Sequence, residues 1–162
     1  MAGRTRDRRS GRYQAAPEGP TGPLHVRERA PRRYLIPYRV LAGDSAARPF
    51  VLCSLGRSTA HPIAALVDSG ADSSSLPSDV ARRLGVSYDA SQARVAFGAG
   101  GEFTQHEAAG NVVLETEIGP VTLTRPSISD VLPFILFGRR DIFAGRVVCF
   151  DQDAQQLRIE AR

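Results

Sequence analysis

Ala65-Leu66-Val67-Asp68-Ser69-Gly70-Ala71-Asp72 is the stretch on which the reading of this 162-residue chain turns. The apolar run from Ile63 through Val67 reads as a strand, and Asp68-Ser69-Gly70 stops it. Taken alone, Asp-Ser-Gly is a common turn in which the aspartate accepts backbone hydrogen bonds. The context here differs, because the strand delivers the carboxylate from an interior position where a turn would be exposed. Asp68 is the main candidate for chemistry.

The flanking sequence is written mostly in strand language. Upstream, Phe50-Val51-Leu52-Cys53-Ser54-Leu55 is a short apolar run, and Gly56-Arg57-Ser58-Thr59 supplies the turn that joins it to the Asp68 strand as a hairpin. Downstream, residues 93–97 and 102–107 flank Gly98-Ala99-Gly100-Gly101, a second hairpin with a flexible tip. Residues 111–117 and 121–124 flank Gly119-Pro120. The apolar run 134–137 ends at Gly138, and residues 146–150 and 155–160 flank Asp151-Gln152-Asp153-Ala154. Helical character is confined to residues 76–85, where Val80, Ala81 and Leu84 share a face between Pro77 and Gly85, and to a shorter turn over 140–144. About eight short strands with two short helices predict an all-β, barrel-like domain over residues 34–162 without internal repeats.

Composition removes other classes. With 42% hydrophobic and 23% charged residues, the chain suits one globular domain. Its net charge of +4 is unevenly spread. Residues 1–33 hold nine arginines against three acids, whereas the remainder holds 12 arginines against 14 acids. The body is thus mildly acidic, and a nucleic-acid-binding core is not expected. The Arg, Gly, Pro and Ser of residues 1–33 predict a disordered leader, the one part where clustered Arg would suit phosphate-rich polymers. The absence of Lys reads as coding bias in a GC-rich genome. Cys53 and Cys149 are too few for a disulfide scaffold, lack zinc spacing, and sit in apolar runs as expected of buried free thiols. No run approaches ~18 apolar residues and no secretory signal is visible, so no membrane association and a cytoplasmic location are expected.

At this point the chain resembles the retropepsin-like aspartic proteases, single-lobe relatives of pepsin, through three ordered features. Residues 65–72 match the family's apolar-apolar-Asp-Ser/Thr-Gly-Ala segment. The glycine-rich tip Gly98, Ala99, Gly100, Gly101 follows about 30 residues later, where the family has its flap. Phe134-Ile135-Leu136-Phe137-Gly138-Arg139-Arg140-Asp141 is similar to the apolar-apolar-Gly-Arg element before the last helical turn. The resemblance runs from Arg48 to about Ile159. It implies a closed acid-protease-like β-barrel, a single pepsin-type lobe with one or two short helices. The longer C-terminal end is more similar to cellular and bacterial members than to viral ones.

The resemblance also assigns roles. Asp68 would be catalytic. Ser69 would use its hydroxyl to lock two active-site loops together, Gly70 would let backbone approach substrate, and Ala71 completes the motif. Asp72 would pair with Arg139 within a subunit, and Arg48 would reach Asp72 of the partner. Phe97 and Phe103 would flank the flap tip and cover a bound peptide.

The chemistry itself requires two carboxylates: one ionised to activate water, one protonated to polarise the scissile carbonyl. Two that share a site cannot both ionise, so their titrations split and both roles coexist. This chain holds a single Asp-Ser/Thr-Gly; Asp44, Asp72, Asp79 and Asp141 lack it. An active enzyme must then pair Asp68 with Asp68 of a second copy across a two-fold axis, and the monomer should be inert. The expectation is a homodimeric aspartic endopeptidase acting on extended peptides, without cofactor or metal. The alternative is a catalytically weak or inactive dimerisation or peptide-binding module, and a third reading makes the Arg-rich tail the active part. Competing motifs fail: the glycines at 98–101 join strands and do not open a helix, the serines at 73–75 lack a GxSxG elbow, and His25, His61 and His106 lack metal-ligand spacing.

Overall fold

The computed structural model describes residues 32–55, 58–98 and 101–161. The Arg-rich leader, apart from Arg32 and Arg33, lies outside these residues, as do Gly56, Arg57, Ala99 and Gly100. In chain order the described elements are β1 (Arg33–Pro37), β2 (Phe50–Leu55), β3 (Ser58–Val67), β4 (Ser75–Pro77), α1 (Ser78–Arg83), β5 (Tyr88–Gly98), β6 (Gly101–Ala108) and β7 (Val112–Thr116). After them come β8 (Val121–Leu123), β9 (Ser127–Ser129), β10 (Ile135–Phe137), a five-residue π-type turn (Arg139–Phe143), β11 (Arg146–Asp151) and β12 (Gln156–Ala161).

The two uninterrupted apolar runs become neighbours. β3 and β10 pair in parallel, with Ala65 opposite Ile135 and Val67 opposite Phe137, and all four of these side chains are buried. Continuous apolar sequence is what a strand in a parallel pair requires, since both its faces are covered. β2 lies on the other side of β3 in antiparallel register, with Phe50 opposite Leu66. On the far side of β10 come β4 and then β9, which pair in parallel through Ser75 and Ser127. The full order is β5-β6-β9-β4-β10-β3-β2-β7-β8, a mixed sheet, and a separate antiparallel sheet holds β1-β12-β11. Leu157, Ile159 and Ile36 of the smaller sheet join Val51, Leu76, Leu114, Leu123 and Phe137 in one apolar core.

The expected closed barrel is not what forms. Closure requires every strand to be paired on both sides with a continuous stagger. Here β5 and β8 end the nine-strand order without pairing with each other, and the terminal strands leave to form their own sheet. β5 also exposes nearly all of its side chains, the pattern of a projecting ribbon and not of a wall with an inner face. The fold is therefore an open mixed antiparallel and parallel sheet with minor helix.

Other differences are local. The helix expected over 76–85 contracts to Ser78–Arg83, because Leu76 and Pro77 are drawn into β4 beside β9 and Gly85 ends the turn at φ +68°. The turn expected over 140–144 begins one residue earlier, at Arg139.

Of the two cysteines, Cys53 is fully buried in β2 whereas Cys149 in β11 is only half-buried; both are free thiols. Burial, with a smaller contribution from the charge of Glu117, pushes the Cys53 thiol up to about 12. A raised pKa leaves almost no thiolate at pH 8, and the thiolate is the reactive form. A disulfide-exchange reagent at pH 8 should therefore titrate only Cys149 in the native protein and both thiols after unfolding. Two fast-reacting native thiols would contradict this packing.

Candidate active site

Asp68 stands where β3 runs out between two neighbours. The Val67 N–H donates to Pro49 C=O at 3.0 Å on one side, and the Asp68 N–H donates to Phe137 C=O at 3.0 Å on the other. The backbone of Asp68 is thus held by β10, and its half-buried side chain emerges at the strand end. A tight turn follows, in which the Gly70 N–H donates to Asp68 Oδ1 at 2.8 Å and the Ala71 N–H to Asp68 C=O at 3.4 Å. A Cβ on residue 70 would lie 3.2 Å from Asp68 Oδ1, so glycine lets the backbone close on the carboxylate. Oδ2 has no partner among the described residues.

The rest of this loop is stitched to the chain that follows β10. The Arg139 N–H donates to Ala71 C=O at 2.8 Å and the Arg140 N–H to Asp72 C=O at 3.0 Å. The Gly138 N–H donates to the buried Ser74 hydroxyl at 3.1 Å, while Ser74 C=O accepts from the Ser127 N–H at 3.0 Å. Asp72 and Arg139 form an ion pair across the same seam. Its side chains are 82% and 58% exposed, so solvent limits its worth to under ~1 kcal/mol, and the backbone bonds do most of the holding.

Ser74 and Gly138 lie in stretches that the sequence singled out, but neither is given a role in the site there. Gly138 has ordinary backbone angles (φ −84°, ψ 172°), so its glycine is not a matter of conformation. A Cβ there would fall 2.4 Å from the Ser73 carbonyl carbon and oxygen. The signal available was the glycine that ends the apolar run 134–137; only the fold shows what it touches.

The π-type turn is anchored by Asp141, a buried carboxylate whose Oδ1 accepts the Thr124 N–H at 3.0 Å after β8. Arg146 Nη1 donates to the Asp141 carbonyl at 3.0 Å.

Ser69 is exposed, and its hydroxyl has no partner among the described residues. Arg48 forms an ion pair with Asp44 of its own chain at 3.3 Å. The hairpin β5–β6 pairs Gly98 with Gly101, and Gly101 takes φ +102°. Phe97 beside it is 80% exposed, whereas Phe103 turns back over Gly98. Ala99 and Gly100, the tip itself, lie outside the described residues. Among the described residues no three His, Cys, Asp or Glu side chains converge as a metal site would require. A hollow of about 320 Å³ between the end of α1 and the start of β7 is lined by residues 84–87 and 110–113, none of them ionisable.

A family model described as aspartyl protease matches residues 56–139, which contain β3, the Asp68 turn, the β5–β6 hairpin and β10. No curated protein matches the chain significantly. Among solved structures, a retropepsin-like aspartic protease from Rickettsia conorii is similar at 12% identity with a TM-score of 0.53, covering 81% of this chain and 92% of that one. An EIAV protease complexed with an inhibitor is 24% identical with a TM-score of 0.44, covering 62% of this chain and 89% of that one. No helix among the described residues is long and apolar enough to cross a membrane.

Proposed function

Because the chain belongs to the aspartyl protease family, we propose that it is a retropepsin-like endopeptidase that hydrolyses peptide bonds as a homodimer, one Asp68 coming from each copy. The observation that carries this reading is the delivery of a single carboxylate per chain from the end of a buried parallel strand pair, in a turn that glycine closes. Among the described residues this carboxylate has no partner of its own kind. Asp72 is paired with Arg139 and Asp141 is buried against Thr124, so neither stands ready as the second acid.

In the dimer the two Asp68 carboxylates share one proton, the behaviour for which pepsin is the reference case. The ionised one takes a proton from water, whose oxygen bonds to the scissile carbonyl carbon. The protonated one gives its proton to the carbonyl oxygen. The resulting tetrahedral diol collapses as the C–N bond breaks: the Asp68 that took the proton from water gives it to the leaving nitrogen, and a diol hydroxyl returns a proton to the other Asp68. The Gly70 N–H bond to Oδ1 fixes each carboxylate in the plane of its turn. The β5–β6 hairpin, with the exposed Phe97 near its tip, serves as the cover over the peptide.

The test is hydrolysis of a peptide library between pH 4 and 7, with and without pepstatin, over a dilution series. Pepstatin-sensitive cleavage whose specific activity falls as the protein is diluted through its dimer dissociation is expected. A folded dimer that cleaves nothing, or cleavage indifferent to pepstatin, would overturn the reading.

A further inference from the structure

A second polar hollow, of about 200 Å³, lies between the β5–β6 hairpin and the loop that carries Asp68. Ser73, five residues beyond Asp68 on the same loop, forms part of its wall. Arg94 of β5, Arg125 before β9 and Arg140 of the π-type turn converge on it from three separate elements. The single carboxylate among them is Glu107 of β6, and both of its oxygens are taken: Oε2 by Arg94 Nη1 at 3.1 Å and Oε1 by Arg125 Nε at 2.8 Å. Arg140 has no acidic partner among the described residues. His106 also lines the hollow, with its Nδ1 buried and without a hydrogen-bond partner among the described residues and its ring packed on Tyr88 at 5.0 Å.

Three guanidinium groups facing one carboxylate leave the hollow with a net positive charge that a bound anion would offset. Glu107 fixes two of the guanidiniums in advance, so little side-chain freedom is lost when a ligand carboxylate docks. Guanidinium forks suit carboxylates because two parallel N–H donors match two oxygens. We propose that this hollow is a specificity pocket for a carboxylate side chain, Asp or Glu, of the peptide held beneath the β5–β6 hairpin. The inference rests on the endopeptidase reading and names its substrate class: peptides with an acidic residue at a fixed distance from the bond cleaved.

The test uses pairs of peptides that differ only in Glu or Gln at successive positions. Their binding to the full-length Asp68→Asn protein, which retains the turn but does not cleave, is read by fluorescence anisotropy, and the same pairs are assayed for kcat/KM with the wild type. At one position Glu should bind about tenfold more tightly than Gln, a modest factor because Arg94 and Arg125 are 70% and 58% exposed. Arg125→Gln and Arg140→Gln, added singly and together, should reduce that ratio towards one. Equal binding of Glu and Gln peptides, no binding of either, or a preference that survives the double substitution would each overturn the pocket. Turnover without acid preference removes the pocket and leaves the endopeptidase. Acid preference in binding without wild-type turnover removes the endopeptidase and leaves the pocket.

Discussion

Asp68→Asn should reduce peptide hydrolysis at least about 10³-fold while leaving the fold intact. Asparagine keeps a side-chain oxygen that accepts the Gly70 N–H, so the turn that follows β3 survives the change. What it loses is the ability to ionise, and with it any means of taking a proton from water. If each copy of the proposed dimer contributes one carboxylate, the variant should also poison its partner. If equal amounts of wild type and Asp68→Asn are mixed and allowed to exchange, about a quarter of the dimers carry two aspartates. Residual activity should fall to about one quarter of the unmixed value at the same total protein concentration. A chain that worked alone would retain half. Circular dichroism and sedimentation on the variant establish that the loss is chemical and not structural, and unaltered turnover by Asp68→Asn would remove Asp68 from the mechanism.

Gly138→Ala should be the most damaging single methyl group in the described chain. The new Cβ would sit 2.4 Å from two atoms of the Ser73 backbone, and neither can yield as the end of a flexible side chain would. Relief requires β10 and the Asp68 loop to move apart, which strains the Gly138–Ser74, Arg139–Ala71 and Arg140–Asp72 bonds together. Overpacking of this kind costs about 3 kcal/mol. The urea midpoint should fall accordingly, and hydrolysis should be lost with it. By contrast, the Ala substitution at exposed Gly110, where a Cβ meets nothing within 4 Å, should shift the midpoint little. Equal effects at the two positions would contradict the close approach.

The parts of this fold legible in the sequence are those whose signal is contiguous. Ile63 to Val67 and the run 134–137 announce themselves as buried strands, and Asp68-Ser69-Gly70 announces the turn. β4, β9 and β1 carry no such signal. Ser75–Pro77 and Ser127–Ser129 are strands because they are clasped between β6 and β10, a tertiary cause that no serine-rich triplet displays. β1 contains Pro37 and begins at Arg33, which reads as the end of the leader until it is seen opposite Glu160. Strand counting also suggested closure, but closure depends on whether the outermost strands meet, and β5 and β8 do not. Within the site, Asp68, Gly70 and the Asp72–Arg139 pair lie in recognisable motifs. Ser74 and Gly138 matter only through each other, and the arginines at 94, 125 and 140 become neighbours only once the hairpin folds over the loop.

The bond from Asp68 to Phe137 also constrains when the protein comes into being. A chain made from its N-terminus has β3 long before β10, and parallel partners so far apart in sequence are slow to find one another. Until residue 137 is available, the Asp68 loop has nothing to be stitched to, and the smaller sheet waits longer still, because β1 pairs with β12. A nascent or C-terminally truncated chain therefore contains Asp68 without the framework that positions it. If the proposed hydrolysis holds, this topology delays competence until late in synthesis, and a growing chain is shielded from that chemistry by the order in which its pieces are made.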